Sequence, residues 1–466
     1  MSDLFLRRTG SPTQIQPIPL PHFYSKELTP STTLSMSRTE SAQIHPDRYP
    51  GSITLPIEIW EHAFDYLVPS SWNTEKMLKD LSRLRTCATV CRSWRARCLF
   101  HLRQYVVLED RRQAARIAKR LSRDRRLAAA VTTVVVSKAE ALGPFATSMA
   151  RKLVHVRTLV LKPLSIQEDW KPKLLHADIF LHLRIAFDSV TNLYIEFNWE
   201  SLFPSAVLLA RFLYSLPQLS HFYCRGGLKR QDDPKDFDFN PHVVLQPSDW
   251  PLAHVDLDYA GATGVMHFLV KTSIAATLTS ISAEMQALKD GKMLEAAGKV
   301  LRDLHVRFDV NSDDVLRRKR GWNEEFSRQL LQNTNLQTFT ATIFLWNYHR
   351  KRLYGLRTLL SGPLPSNLRE VTVIFKMDWS REEIESLLRC LNEDICAQID
   401  ELLSGPQYKM LHTVSFHIDG YVDALDLQDR SDHPTENEWK ELLSPRLPRL
   451  CARGLLRTPA TLYTEP

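Results

Sequence analysis

The stretch Leu301–Asp309, LRDLHVRFD, decides how the chain is read. Leu304, Val306 and Phe308 alternate with polar residues, the period of a strand with one buried face. The same template, Leu-x-x-Leu-x-Val/Ile/Phe, runs through LREVTVIFK (368–376) and LHTVSFHID (411–419) downstream. Upstream it runs, more loosely, through YVVLE, VTTVVVS, VRTLVLK, VTNLYIEFN, LPQLSHFYC, LAHVDLDY and LTSISAEM, and NLQTFTATI completes the set. The segments recur roughly every 23 to 42 residues. Between many of them lie helical stretches such as RRQAARIAKRL and SREEIESLLRCLNEDICAQIDELL.

Strands joined through helices run parallel, and units stacked at a near-constant offset give a curved solenoid. The fold class expected is therefore α/β, with one curved parallel sheet from about Tyr105 to Asp419 and helices on its convex side. A doubly wound α/β domain is the alternative. Two polar inserts, 225–250 and 426–440, read as loops.

Composition agrees with a globular chain of two to three domains: 466 residues, 44% apolar and 24% charged. Fifteen glycines are few, and neither GxGxxG nor GxxxxGK[ST] occurs, which weighs against nucleotide chemistry. The net charge of +7 rests on 60 basic against 53 acidic residues and does not single out nucleic acid. Seven scattered cysteines and no N-terminal apolar core suggest a reducing compartment, cytosol or nucleus. No apolar run reaches the roughly 18 residues a membrane span needs, so no membrane partner is expected. Residues 1–50, rich in Pro, Ser and Thr, read as a disordered tail.

Residues 51–104 break the strand pattern. LPIEIWEHAFDYL (55–67) begins as a helix, because proline in the first turn has its φ preset and no amide hydrogen to leave unpaired. Ile57, Ile59, Trp60, Ala63, Phe64, Tyr66 and Leu67 fill more than one helical face, more than a single core requires. A second helical segment, MLKDLSRLRTCATVCRSWRARC, follows a polar connection. The two are expected to share a core separate from that of the repeats.

This module resembles an F-box, the helical unit that docks a substrate receptor onto the Skp adaptor of a cullin-RING ubiquitin ligase. The resemblance rests on Leu55-Pro56-x-Glu58-Ile59, on Phe64 and Leu67, and on Val90-Cys91-Arg92-x-Trp94-Arg95. Ala63 stands where the family has a larger aliphatic residue, and the connection from Val68 to Lys79 is longer than usual. Degenerate leucine-rich repeats after an F-box are an architecture common in mushroom-forming fungi. The resemblance implies a non-enzymatic receptor with a Skp-family partner, an unknown protein target and no cofactor. Leu55, Pro56, Ile59, Phe64 and Leu67 would touch the adaptor; Leu84, Cys87, Val90, Cys91 and Trp94 would be shared between that surface and the internal packing. The domains expected are a tail (1–50), an F-box (51–104), a leucine-rich-repeat-like domain (105–425) and a C-terminal extension (426–466). The rivals are a repeat scaffold without ligase recruitment and a divergent enzyme.

Other constellations carry less. Cys87, Cys91, Cys98 and His101 have the residue types of a zinc site, but on one helix Cys91 and Cys98 stand about 10 Å apart along the axis, beyond what bonds of about 2.3 Å to one metal can span. The eight basic residues between Arg111 and Arg126 share their helix with an apolar stripe of Ala114, Ile117, Ala118 and Leu121, which leaves them the solvated face. No GxSxG, HExxH or HxE…CxxC pattern is present. His412 and His417 flank a strand core. His254, Asp256 and Asp258 form a polar row on one face of a strand, read as facing solvent.

Overall fold

The computed structural model describes residues 56–69, 74–162, 177–196, 206–225, 250–258, 263–272, 274–288, 291–308, 322–345, 364–378, 381–391, 393–423 and 434–465. The expected tail and most of both polar inserts lie outside this set. All described residues fall in one contact unit, Pro56–Pro466.

Three helices come first: α1 (Ile57–Tyr66), α2 (Thr74–Val90) and α3 (Arg92–Leu102). Pro56 caps α1 with φ −51°, as its ring dictates. Eleven strands follow: β1 (Tyr105–Leu108), β2 (Thr133–Val136), β3 (Thr158–Leu161), β4 (Asn192–Glu196), β5 (His221–Arg225), β6 (His254–Asp258), β7 (Ser280–Glu284), β8 (Asp303–Phe308), β9 (Thr338–Phe344), β10 (Glu370–Asp378) and β11 (Thr413–Asp423). β12 (Leu456–Arg457) and β13 (Ala460–Glu465) both pair with β11. Every pairing is parallel, and the spatial order follows the chain order from β1 to β12. The order never reverses, so the sheet has no switch point of the doubly wound kind.

Strands β2 to β11 enter the sheet in the same way. One carbonyl of the preceding unit accepts from two successive amides of the next: Gln104 from Thr132 and Thr133, Thr191 from Ser220 and His221, Arg302 from Gln337 and Thr338. That repeated join fixes a common register. Val134, Leu159, Leu193, Phe222, Val255, Ile281, Leu304, Phe339, Val371 and Val414 thus lie in one continuous row. All are buried in the main core, beside helix residues such as Ala114, Ala118, Leu121, Phe145 and Leu183. The basic residues of the helix Arg111–Arg123 are exposed opposite that stripe.

The other face of the sheet changes character along its length. In the row through Val107, Val135, Val160, Tyr194, Tyr223, Asp256, Ser282 and His305, the first three residues are apolar and the last three polar. The apolar end is where the helices sit. Val135 and Val160 share a cluster with Phe64, Met77, Leu81, Leu84 and Cys98, flanked by Val107 and Tyr194. The module's core is therefore shared with the sheet, not separate as the sequence led us to expect, because β2 and β3 are apolar on both faces.

The C-terminal residues also differ from expectation. Instead of an extension, residues 434–465 supply the helices Glu436–Leu443 and Pro448–Ala452 and the last two strands. Trp439 is fully buried in the main core, its indole Nε1 donating to the Phe416 carbonyl at 2.8 Å. Among the described residues no helix is long and apolar enough to cross a membrane.

Candidate functional site

α1 carries two apolar stripes, each at the i, i+4, i+7 spacing of one helical face. Trp60, Phe64 and Leu67 turn inward, where the Trp94 ring from α3 lies 4.7 Å from Trp60 and edge-on to Phe64 at 5.1 Å. Ile59, Ala63 and Tyr66 turn outward; Ile59 is 51% and Tyr66 78% exposed. The surplus of apolar residues in the sequence is this second stripe. Asp65 pins α1 to α3, accepting from Arg97 Nη2 at 2.6 Å and facing His101 Nε2 at 2.8 Å. The hydrogen bonds from Arg97 hold its carboxyl below the usual range.

The expected adaptor residues divide by burial. Leu55 lies outside the described residues. Pro56, Ile59, Val90 and Cys91 are exposed, and Leu67, Cys87 and Trp94 are half-buried. Phe64, at 4% exposure, and Leu84, at 0%, belong to the interior of the module. Phe64 is thus a core residue in this chain and not an exposed contact, since it follows Trp60 on the inward stripe. Tyr66, named in the sequence among the surplus apolar residues but not as an adaptor contact, is the most exposed apolar group among the described side chains of α1.

The cysteines do not sit on one helix. Cys91 is extended, with φ −152° and ψ 168°, and caps α3, so the segment read as continuous is two helices. His101 is turned to Asp65. Among the described residues no three His, Cys, Asp or Glu side chains are placed to hold a metal ion.

The polar half of the open sheet face is a second candidate. Because the strands are in register, positions far apart in sequence become neighbours: His221 beside His254, Tyr223 beside Asp256, Arg225 beside Asp258. All of these but Asp258 line, together with Tyr194, Glu196, Ser280 and Ser282, a groove of about 480 Å³. The imidazoles of His221 and His254 stack at 4.2 Å, only 6° from parallel. The tyrosine rings lie 5.7 Å apart. Burial, and then the Asp256 charge, pushes the Tyr194 hydroxyl up to about 12; Tyr223 is pushed up by burial and by Asp258, to which its hydroxyl donates at 3.3 Å. Burial, and then its stacked neighbour, lowers the pKa of His221.

Charged groups tie this face together across strands. Arg307 donates to Asp256 at 2.6 Å, to Ser282 Oγ at 2.9 Å and to the Leu257 carbonyl at 2.9 Å. Its Nε is 3.6 Å from Asp258. Arg225 lies 3.4 Å from Glu196 and 3.9 Å from Asp258. Further along, His305 contacts Thr342 Oγ1 at 2.8 Å, and burial lowers its pKa to about 4. His417 faces Asp419 at 3.1 Å and Thr461 at 2.8 Å on the same open face, whereas His412 is exposed.

The row of His254, Asp256 and Asp258, read from sequence as facing solvent, is therefore half-buried and engaged. Sequence reasoning missed Tyr223, Arg225 and Arg307 as its partners. The signal was available in the alternate positions of the strand template, once the strands were laid side by side. No model of a known protein family matches the chain, and no curated protein matches it.

Proposed function

We propose that the chain is the substrate-recognition subunit of an SCF-type cullin-RING ubiquitin ligase. In this reading α1–α3 dock onto a Skp-family adaptor, and the leucine-rich-repeat-like sheet holds a target protein on its open face. The observation that carries it is the outward stripe of α1. Trp60, Phe64 and Leu67 already pack into the module's interior, yet Ile59 and Tyr66 stand in water on the outer side of the helix that Pro56 opens. Exposed apolar groups clustered on one helix face favour a protein partner. Stable complexes bury on the order of 1,600 Å², so Val90 and Phe100, 60% and 54% exposed, are further candidates for the contact.

Such a receptor contributes proximity. Tethering a target near a ubiquitin-conjugating enzyme turns a bimolecular encounter into a nearly intramolecular one, without catalytic residues in the receptor itself. The compartment would be cytosol or nucleus, where such ligases work. Ala63 in the middle of the stripe leaves it shallow and keeps a second reading, a repeat scaffold without ligase recruitment. Capture of the full-length chain by purified Skp adaptor separates the two: binding supports the receptor, and failure of a well-folded chain to bind supports the scaffold.

A further inference from the structure

We propose that the groove over β4–β7 takes a cationic side chain, arginine or lysine, presented by the target polypeptide. This rests on the receptor reading above and names the class of target.

The first argument is charge. On the open face of β4–β8, the carboxylates of Glu196, Asp256, Asp258, Glu284 and Asp303 outnumber the guanidinium groups of Arg225 and Arg307, a formal charge of about −3. The chain as a whole is +7, so this floor runs against the sign of the molecule. Asp256 Oδ1 accepts from Arg307, yet its side chain still keeps 38% of its surface exposed. It remains open to a second cation.

The second argument is the rings. Tyr194, Tyr223, His221 and His254 all line the groove. The negative face of an aromatic ring attracts a cation, and a guanidinium stacks on such faces. Burial keeps both tyrosine hydroxyls protonated, so they can donate to a carboxylate while the rings meet the ligand.

An anionic occupant fits worse. Arg307 is 11% exposed and committed to Asp256, Ser282 and a backbone carbonyl. Arg225 is 49% exposed but stands between Glu196 and Asp258. A phosphate or carboxylate in the groove would face the carboxylates of Glu196 and Asp256 and two guanidinium groups already paired with carboxylates.

The occupant is a chain, not a free small cation, because the rows of polar residues run on beyond the groove. The row of His221, His254 and Ser280 continues into Asp303, Thr338 and Glu370 on the next strands. An extended polypeptide crossing the strands would find polar partners at each step of about 4.8 Å.

The test uses the full chain, fluorescence anisotropy and labelled glycine–serine peptides of one length whose central residue is arginine, lysine, citrulline or glutamate. Citrulline keeps the shape of arginine without its charge. The arginine and lysine peptides are expected to titrate below about 1 mM, with the citrulline and glutamate peptides at least about fivefold weaker. Binding should weaken further at 0.5 M salt, and Glu196→Gln, which leaves the Arg307–Asp256 pair intact and is checked for unchanged melting, should reduce it about threefold or more. Equal binding of the arginine and citrulline peptides, a preference for glutamate, or no titration below 1 mM would overturn the proposal. Free argininamide binding as tightly as the arginine peptide would overturn the polypeptide part. Adaptor capture is read on the same wild-type preparation, so failure of the groove and failure of the receptor reading are seen separately.

Discussion

Arg307 on β8 reaches over β7 to Asp256 on β6, with Nη2 2.6 Å from Oδ1, and donates to Ser282 on the strand between. Three strands, and residues 51 positions apart, are locked by one guanidinium. Arg307→Met should keep the stem but remove the donors, leaving Asp256 and the Leu257 carbonyl without that partner. The expected loss is about 1–3 kcal/mol in urea unfolding. A change under about 0.5 kcal/mol would mean that the network is held by solvent instead.

His305 makes stability depend on pH. Burial, with the nearby charges of Arg307 and Lys376 second, lowers its pKa to about 4, against about 6.5 for an unfolded histidine. Between these values the unfolded chain binds the proton that the folded chain refuses. The stabilisation is therefore complete above pH 6.5 and is lost as pH falls toward 4, at about 1.4 kcal/mol per pH unit. Urea midpoints measured from pH 7 to pH 4.5 should fall less steeply for His305→Gln, which cannot take the proton but can still bond Thr342. Parallel profiles for the two proteins would refute the assignment.

Trp439 tests whether the C-terminal residues belong to the main body. Its ring is fully buried and its Nε1 hydrogen-bonds the Phe416 carbonyl on β11. Trp439→Ala should cost about 3–5 kcal/mol, the range for emptying a large aromatic site, and lower the single melting transition of the sheet. An unchanged transition would make residues 434–465 the appendage that their sequence suggests.

What could be read in advance followed from burial pattern. Strands such as β8 (Asp303–Phe308) alternate apolar and polar residues in sequence because one face meets helices, and β2 and β3 are continuous apolar runs, so β1 to β11 were legible one by one. β12 and β13 were not: Leu456–Arg457 is too short to alternate, and ATLYTE at Ala460–Glu465 is half polar and breaks alternation at Leu462–Tyr463. The surplus apolar residues of α1 were plain, but their division between Phe64 inside and Tyr66 outside depends on where Trp94 and Val160 arrive from elsewhere. The groove was half visible. Asp256 and Asp258 stood out as a row, while the residues that give the row its character lie on neighbouring strands and meet it only through register.

The outward stripe of α1 is the proposed docking surface for a Skp adaptor. Ile59→Ser combined with Tyr66→Ser removes exposed apolar groups and should leave melting within about 2 °C of wild type, since neither side chain is in the core. Leu84→Ala, by contrast, empties a fully buried site and should cost about 2–5 kcal/mol. The decisive measurement is titration calorimetry of purified adaptor into the full-length chain, wild type against the Ile59/Tyr66 double variant. The account predicts a wild-type complex that is micromolar or tighter, weakened at least about tenfold in the double variant with its fold intact. No heat of binding from a well-folded wild type, or equal affinity in both proteins, would contradict it.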